Sequence, residues 1–238
     1  MRILITNDDS VSAEQLLPLI SFCKKLGDIT VIVPKIEQSG KSHGIEIHKP
    51  FEVQKVQLAP DIEVYTVDST PADCVRFAIL GLNMEFDLVI SGINRGYNVG
   101  MDILYSGTVS AVREAALLGV SAIALSTSFK DYDSATDHLD EVFAYIEQNK
   151  LLKHHNLYNI NIPKNPKGIV ITKQGGKYYS DTFEEVEKEM FIARGKSVYE
   201  YGADPTLDTD AVTDGYVSIT PLTIDVTDYA VFKKLTEK

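Results

Sequence analysis

The sequence predicts an α/β protein with a doubly wound, mostly parallel sheet and a smaller β-rich excursion toward the C-terminus. Three observations carry this. Short apolar, β-branched runs alternate with segments of helical periodicity, the connections between them are short, and a polar stretch rich in Tyr and Glu breaks the alternation late in the chain. The 238 residues suffice for one such domain with an annex and a substantial core.

Residues 3–6 read as a first buried strand, followed by a helix carrying Leu16, Leu17, Leu19, Ile20 and Phe22 that stops at Gly27. Residues 29–33 form a second strand closed by Pro34. Between 39 and 68, Ile45, Ile47, Phe51, Val53 and Val56 alternate with polar residues, the pattern of a hairpin excursion, before residues 62–67 resume the sheet. Pro71 stands at the first position of a helix holding Val75, Phe77, Ala78 and Leu80. Leu88-Val89-Ile90 is a buried strand that breaks at Ser91-Gly92 into a glycine- and asparagine-rich loop, and Val109, Val112 and Ala116 mark the next helix. Residues 122–125 are a strand, Val142, Phe143 and Ile146 a helix, and residues 157–162 and 168–172 late strands. Residues 173–200 form the polar excursion, residues 216–220 return as a strand, and residues 226–235 close as a short helix. The expected organisation is a core over 1–164, a smaller unit over 165–215, and a return to the core over 216–238.

Composition narrows the function. Hydrophobic content of 44% and charged content of 24% are globular values, and a net charge of −11 argues against binding long nucleic acid. Cys23 and Cys74 stand alone in apolar segments, which reads as two reduced core residues. The start MRILITN is strand-like rather than a signal peptide and no run has membrane-spanning length, so a cytoplasmic protein is expected.

In an open parallel sheet, ligands collect beyond the carboxyl ends of the strands. Four stretches should open there together: Asn7-Asp8-Asp9-Ser10, Glu37-Gln38-Ser39-Gly40, Asn94 with Asn98, and Ser106-Gly107-Thr108. Adjacent carboxylates repel, and a bound cation is the usual remedy. The nearby donors are oxygens of Asp8, Asp9, Ser39 and Asn94, a set that suits Mg²⁺ or Mn²⁺, admits Ca²⁺ and disfavours zinc. A plainer reading has Asp9 or Ser10 capping the following helix. Likewise Ser106-Gly107-Thr108 is either an ordinary cap or an anion seat at a helix start.

Taken together these loops resemble the SurE family of survival-protein nucleotidases. The family's TNDDG stands here as Thr6-Asn7-Asp8-Asp9-Ser10, its RSG as Gln38-Ser39-Gly40, and its GTPADCV as Ser69-Thr70-Pro71-Ala72-Asp73-Cys74-Val75. The pattern SGxNxGxNxGxDxxYSGTV is matched without a gap over residues 91–109. Asp208-Thr209-Asp210 and residues 215–222, GYVSITPL, repeat the closing segment, so the likeness spans essentially the whole chain.

The resemblance implies a metal-dependent phosphatase acting on nucleoside 5′- and 3′-monophosphates, with some members trimming short polyphosphate. It implies Asp8, Asp9, Ser39 and Asn94 as ligands of one divalent metal, and Asn98, Ser106, Gly107 and Thr108 as phosphate contacts. It also implies a doubly wound core with a C-terminal swapping arm that builds homodimers or homotetramers. A phosphate monoester is a stable dianion, so its hydrolysis needs neutralised phosphoryl oxygens and an in-line nucleophile. Asp8 and Asp9 would be the catalytic pair, with Asp9 as base for a metal-bound water, or with an aspartyl-phosphate as the open variant.

His43 reads as structural or solvated, with leaving-group protonation as the other option. Lys35, Lys41 and Arg95 would offset the acidic bulk near phosphate or simply be solvated. Ser10 and Ser69 replace family glycines, so the turn after the aspartates must accept a side chain, and residues 173–204 match no family motif. The competing class is a non-catalytic, Mg²⁺-dependent phosphoacceptor or nucleotide-binding signalling module. A phosphoacceptor of the receiver type needs an aspartate at the tip of the 88–90 strand, where this chain has Ser91 and Gly92.

Overall fold

The computed structural model describes residues 1–58 and 61–237. The first half of the chain runs β1 (Arg2–Thr6), α1 (Leu16–Cys23), β2 (Asp28–Pro34), β3 (Val53–Val56), β4 (Glu63–Val67), α2 (Pro71–Arg76), β5 (Leu88–Arg95) and α3 (Gly107–Leu117). It continues with β6 (Ser121–Thr127), α4 (Leu139–Gln148), α5 (Leu151–His154), β7 (Leu157–Ile162) and β8 (Ile169–Ile171). Then follow β9 (Tyr179–Glu187), β10 (Met190–Ser197), α6 (Asp208–Thr213), β11 (Val217–Pro221) and α7 (Tyr229–Thr236).

Nine strands make one sheet in the order β3-β4-β2-β1-β5-β6-β7-β11-β8. All pairs are parallel except β3 with β4 and β7 with β11. Side-chain alternation along β1 produces the double winding. Ile3 and Ile5 pack with Leu16, Leu19 and Ile20 of α1 and Leu139 and Val142 of α4, whereas Leu4 packs with Val75 of α2 and Val109 and Val112 of α3. Each of these fully buried aliphatic side chains contributes about 1.5–3 kcal/mol relative to exposure. The chain leaves β1 toward β2 on one side and leaves β5 toward β6 on the other. The carboxyl ends of β1 and β5 therefore flank the topological switch point, where a ligand crevice belongs.

The observed elements depart from the expected ones in three places. First, β5 does not break at Ser91-Gly92; it continues to Arg95, with a register shift against β6 between Ser91 and Asn94. Gly92 permits this, because it has φ +141° and a Cβ there would lie 2.4 Å from the Leu125 carbonyl oxygen. Asn94 thus sits on a strand, paired with Ser126, rather than in a loop. Second, the excursion over 39–68 is a hairpin only at β3 and β4; residues 39–52 are neither helix nor strand, and Ile45 and Ile47 are exposed. That segment is held by single bonds instead: Thr70 Oγ1 donates to the Gly44 carbonyl (2.7 Å) and Glu46 N donates to Asp73 Oδ2 (2.8 Å). Third, α6 has no apolar period to announce it; its buried Asp208 and Asp210 accept backbone N–H groups of neighbouring loops.

Within 165–215, β8 and α6 join the main sheet and its covering layer, while β9 and β10 form a separate, exposed antiparallel pair. No helix among the described residues is long and apolar enough to cross a membrane.

Candidate active site

The paired acids leave β1 in a turn that Asn7 builds. Its Nδ2 donates to the Ser10 carbonyl (2.9 Å) and its Oδ1 accepts from Ser10 N (3.0 Å). Ser10 consequently takes φ +77°, a left-handed conformation that costs a residue with a Cβ roughly 1–2 kcal/mol. The side chain is accommodated through a hydrogen bond between the hydroxyls of Ser10 and Ser12 (2.9 Å), so the turn keeps a glycine-type backbone without a glycine.

Asp8 and Asp9 open on a cleft of about 480 Å³ that Ser39, Asn94, Asn98 and Ser106 also line. The loops after β1 and β2, the end of β5 and the start of α3 therefore converge as their positions in the chain suggest. Gly107 and Thr108 lie behind this surface. Thr108 is fully buried and donates its hydroxyl to Asp8 Oδ1, and a Cβ on Gly107 would lie 2.9 Å from Asp8 Cβ. The Thr108 hydroxyl is thus committed to holding Asp8. Ser106 caps α3, its Oγ accepting from Val109 N (3.1 Å), and it also lines the cleft.

Asn98 is set rigidly by β6 and β7. Its N donates to Asn161 Oδ1 (2.8 Å), its carbonyl accepts from the Nδ2 atoms of Asn159 (2.7 Å) and Asn161 (2.8 Å), and its own Nδ2 donates to Ser126 Oγ (2.8 Å). The amide nitrogen of Asn94 donates to the Gly96 carbonyl (2.7 Å), which leaves its oxygen as the atom for a ligand. Ser39 Oγ donates to Glu37 Oε1 (2.7 Å), which keeps the hydroxyl lone pairs as acceptors. Fully buried Asp208 takes the N–H groups of Gly100 (3.0 Å) and Gly175 (2.7 Å) on its carboxylate and so pins the turn after Asn98 to the segment leading into β9.

The electrostatics favour a cation. Asp9 Oδ2 is buried and has no hydrogen-bond partner among the described residues. Burial first, and then the charges of Asp8 and Glu37, push the Asp9 carboxyl up to about 7, against a smaller opposing pull from Arg95. Burial also raises Asp8, despite its hydrogen bonds from Thr108. Among the described residues no three His, Cys, Asp or Glu side chains cluster as a metal-holding group. An ion here would therefore rely on Asp8 and Asp9 together with the neutral oxygens of Ser39 and Asn94, and an all-oxygen set of that kind fits a hard divalent cation.

Three basic side chains and one histidine separate by position. Arg95 lines the cleft, its guanidinium 4.5 Å from the ring centroid of Phe129 and 5.5 Å from that of Tyr132. Lys35 is paired with Glu52 (2.5 Å), and Lys41 is exposed outside the cleft lining. His43 Nε2 is bound to Glu114 Oε2 (2.8 Å), whose other oxygen accepts from Arg76 (2.9 Å), which is a structural role away from the cleft. Glu37, Asp102, Tyr105 and Phe129 also line the cleft. Of these, Asp102 and Tyr105 stand in the pattern over residues 91–109 and Glu37 lies two residues before Ser39, whereas Phe129 has no sequence signal.

A doubly wound sheet whose switch-point cleft joins paired carboxylates to a capped helix start defines an α/β protein with its site at the carboxyl ends of the central strands. The chain belongs to the survival protein SurE family, whose model matches residues 3–181. It is 37% identical over 249 residues to the 5′-nucleotidase SurE of Thermosipho melanesiensis, covering 100% of this chain and 97% of that one. It is 39% identical over 243 residues to the 5′-nucleotidase SurE of Thermoanaerobacter sp. strain X514, covering 96% and 94%. The crystal structure of the SurE protein from Aquifex aeolicus shares 30% identity and a TM-score of 0.81, over 99% of this chain and 98% of that one.

Proposed function

We propose that this protein is a metal-dependent phosphatase that hydrolyses nucleoside 5′-monophosphates, and 3′-monophosphates as well, to nucleoside and phosphate. The observation that carries the reading is Asp9 Oδ2, a buried carboxylate oxygen without a partner, set next to Asp8 in a cleft that also receives the start of α3. Full-length similarity to proteins named 5′-nucleotidase supports it, as does the metal dependence general to the family. One Mg²⁺ or Mn²⁺ per subunit would be held by Asp8, Asp9, Ser39 and Asn94. When bound it supplies a Lewis acid toward a phosphoryl oxygen and makes water more acidic.

The chain's own groups do the rest. Asp9, beside Asp8 in the cleft, is the base that takes a proton from the attacking water. The hydroxyl of Ser106 and the side-chain amide of Asn98 donate to the phosphoryl oxygens. The backbone amides of Gly107 and Thr108 contribute the positive end of the α3 dipole. Arg95, fixed on Phe129, offsets the negative charge that Asp8, Asp9 and Glu37 present to an incoming dianion.

The test is phosphate release from AMP and GMP in EDTA and in added Mg²⁺ or Mn²⁺. Release that requires the metal is expected. Equal release under chelation would remove the metal from the mechanism, and none under any condition would leave only the nucleotide-binding alternative.

We also infer a homodimer or homotetramer assembled through the β9–β10 pair and α7, because Phe183, Phe191, Phe232 and Leu235 stand exposed there. Light scattering on the purified protein should return two or four times the chain mass; a monomer mass at tens of micromolar would reject this.

A further inference from the structure

The cleft is larger than a phosphate requires. Its volume of about 480 Å³ lies within the range of sites that enclose a whole small molecule. Two aromatic rings line it that the chemistry does not use: Tyr105, 66% exposed, and Phe129, 64% exposed. Single exposed aromatics are ordinary on protein surfaces, but two in the cleft that holds the acid pair call for an occupant. Tyr105 immediately precedes the phosphate-facing Ser106, and Phe129 follows the carboxyl end of β6. The Arg95 guanidinium sits over Phe129, and Arg95 Nε donates to the Phe129 carbonyl (3.5 Å), so this ring is steadied from one side and open elsewhere.

We propose that Tyr105 and Phe129 form a stacking platform for the base of the nucleotide, which makes the enzyme prefer nucleoside monophosphates to phosphate esters that lack a base. The proposal rests on the nucleotidase reading above and names the part of the site that selects the substrate. A ring face accepts any base, so discrimination between bases should be broad, with purines ahead of pyrimidines because they cover more area.

The measurement is kcat/KM for GMP and for ribose 5-phosphate, in wild type and in the variants Phe129→Ala, Tyr105→Ala and Phe129→Trp. Loss of one stacking ring should lower the ratio of the two constants about 5- to 100-fold through KM for GMP, and Phe129→Trp should restore it. Wild type that turns over both esters with equal kcat/KM, or alanine variants that leave the ratio unchanged, would overturn the platform while leaving the phosphatase intact. A wild type inactive on both would instead reject the nucleotidase reading and the platform with it. A second readout does not depend on turnover. The natural chain has no tryptophan, so in the Phe129→Trp variant indole fluorescence reports this position alone. Quenching by GMP and not by ribose 5-phosphate is expected, whereas equal responses to both, or to neither, would contradict stacking.

Discussion

Asp9→Asn is expected to lower kcat for AMP by at least about 10³-fold, within the range for loss of a general base, and to raise the melting temperature of the metal-free protein at pH 8. The two effects share a cause. The Asp9 carboxyl rises from 3.8 to about 7 in the folded chain because burial and the charges of Asp8 and Glu37 disfavour its ionised form. A raised carboxyl leaves stability intact below pH 4, removes it progressively as pH rises toward 7, and holds the loss constant above that. The loss is at most roughly 4 kcal/mol for a shift of this size. Asparagine keeps the shape and carries no charge, so the metal-free variant should show a much weaker decline between pH 4 and 7 than wild type in thermal scans. A saturating cation should close most of this gap, since an ion at 100 times its Kd adds about 2.7 kcal/mol to the form that binds it. A variant with near wild-type turnover, or one less stable than wild type without metal, would show that Asp9 does not hold this role.

Gly107→Ala should lower kcat about 10²-fold while the protein stays folded, because a displacement of about 1 Å in a catalytic group is enough for a loss of that order. Helix propensity alone favours the change, since alanine is better than glycine in a helix by about 1 kcal/mol. Packing opposes it. A Cβ at this position would lie 2.9 Å from Asp8 Cβ, 3.1 Å from Asp8 Oδ2 and 3.1 Å from Pro71 Cγ. The proline ring is fixed in α2, so Asp8 must give way, and with it the bond from Thr108 that sets its carboxylate. Steady-state kinetics with a thermal scan separates the outcomes: a large fall in kcat with a melting temperature within a few degrees is expected. Unchanged kcat would mean that Asp8 can move without consequence and that its placement is not critical.

The sequence made the layered core and the meeting of four loops legible because both follow from local pattern plus topology. Ile3 and Ile5 against Leu4 already encode two covered faces, Pro71 marks a helix start, and strand order alone brings Asp8, Asp9, Ser39 and Asn94 to one edge. What local pattern could not carry were features decided by contact across the chain. The run of β5 past Gly92 depends on the approach of Leu125, and the irregular course of 39–52 depends on bonds to Thr70 and Asp73. The Thr108 hydroxyl reads in sequence as a phosphate ligand but lies against Asp8, a partner 100 positions away. Phe129 has no periodic or motif signal at all, and what marks it at the cleft are its contacts with Arg95 of β5. The buried polar helix α6 escaped because its stability comes from the N–H groups that Asp208 and Asp210 receive, not from an apolar stripe.

The most direct test of the paired-acid site is a calorimetric titration of Mn²⁺ into the metal-free wild type and Asp9→Asn at pH 7, repeated in buffers of different ionisation enthalpy. One ion per chain is expected in wild type, with proton release on binding because the Asp9 carboxyl near 7 is partly protonated before the ion arrives. Both the tight site and the proton release should vanish in Asp9→Asn. Wild type that takes up no ion at millimolar concentration, or a variant that binds with the same affinity and proton count, would contradict a cation held between Asp8 and Asp9.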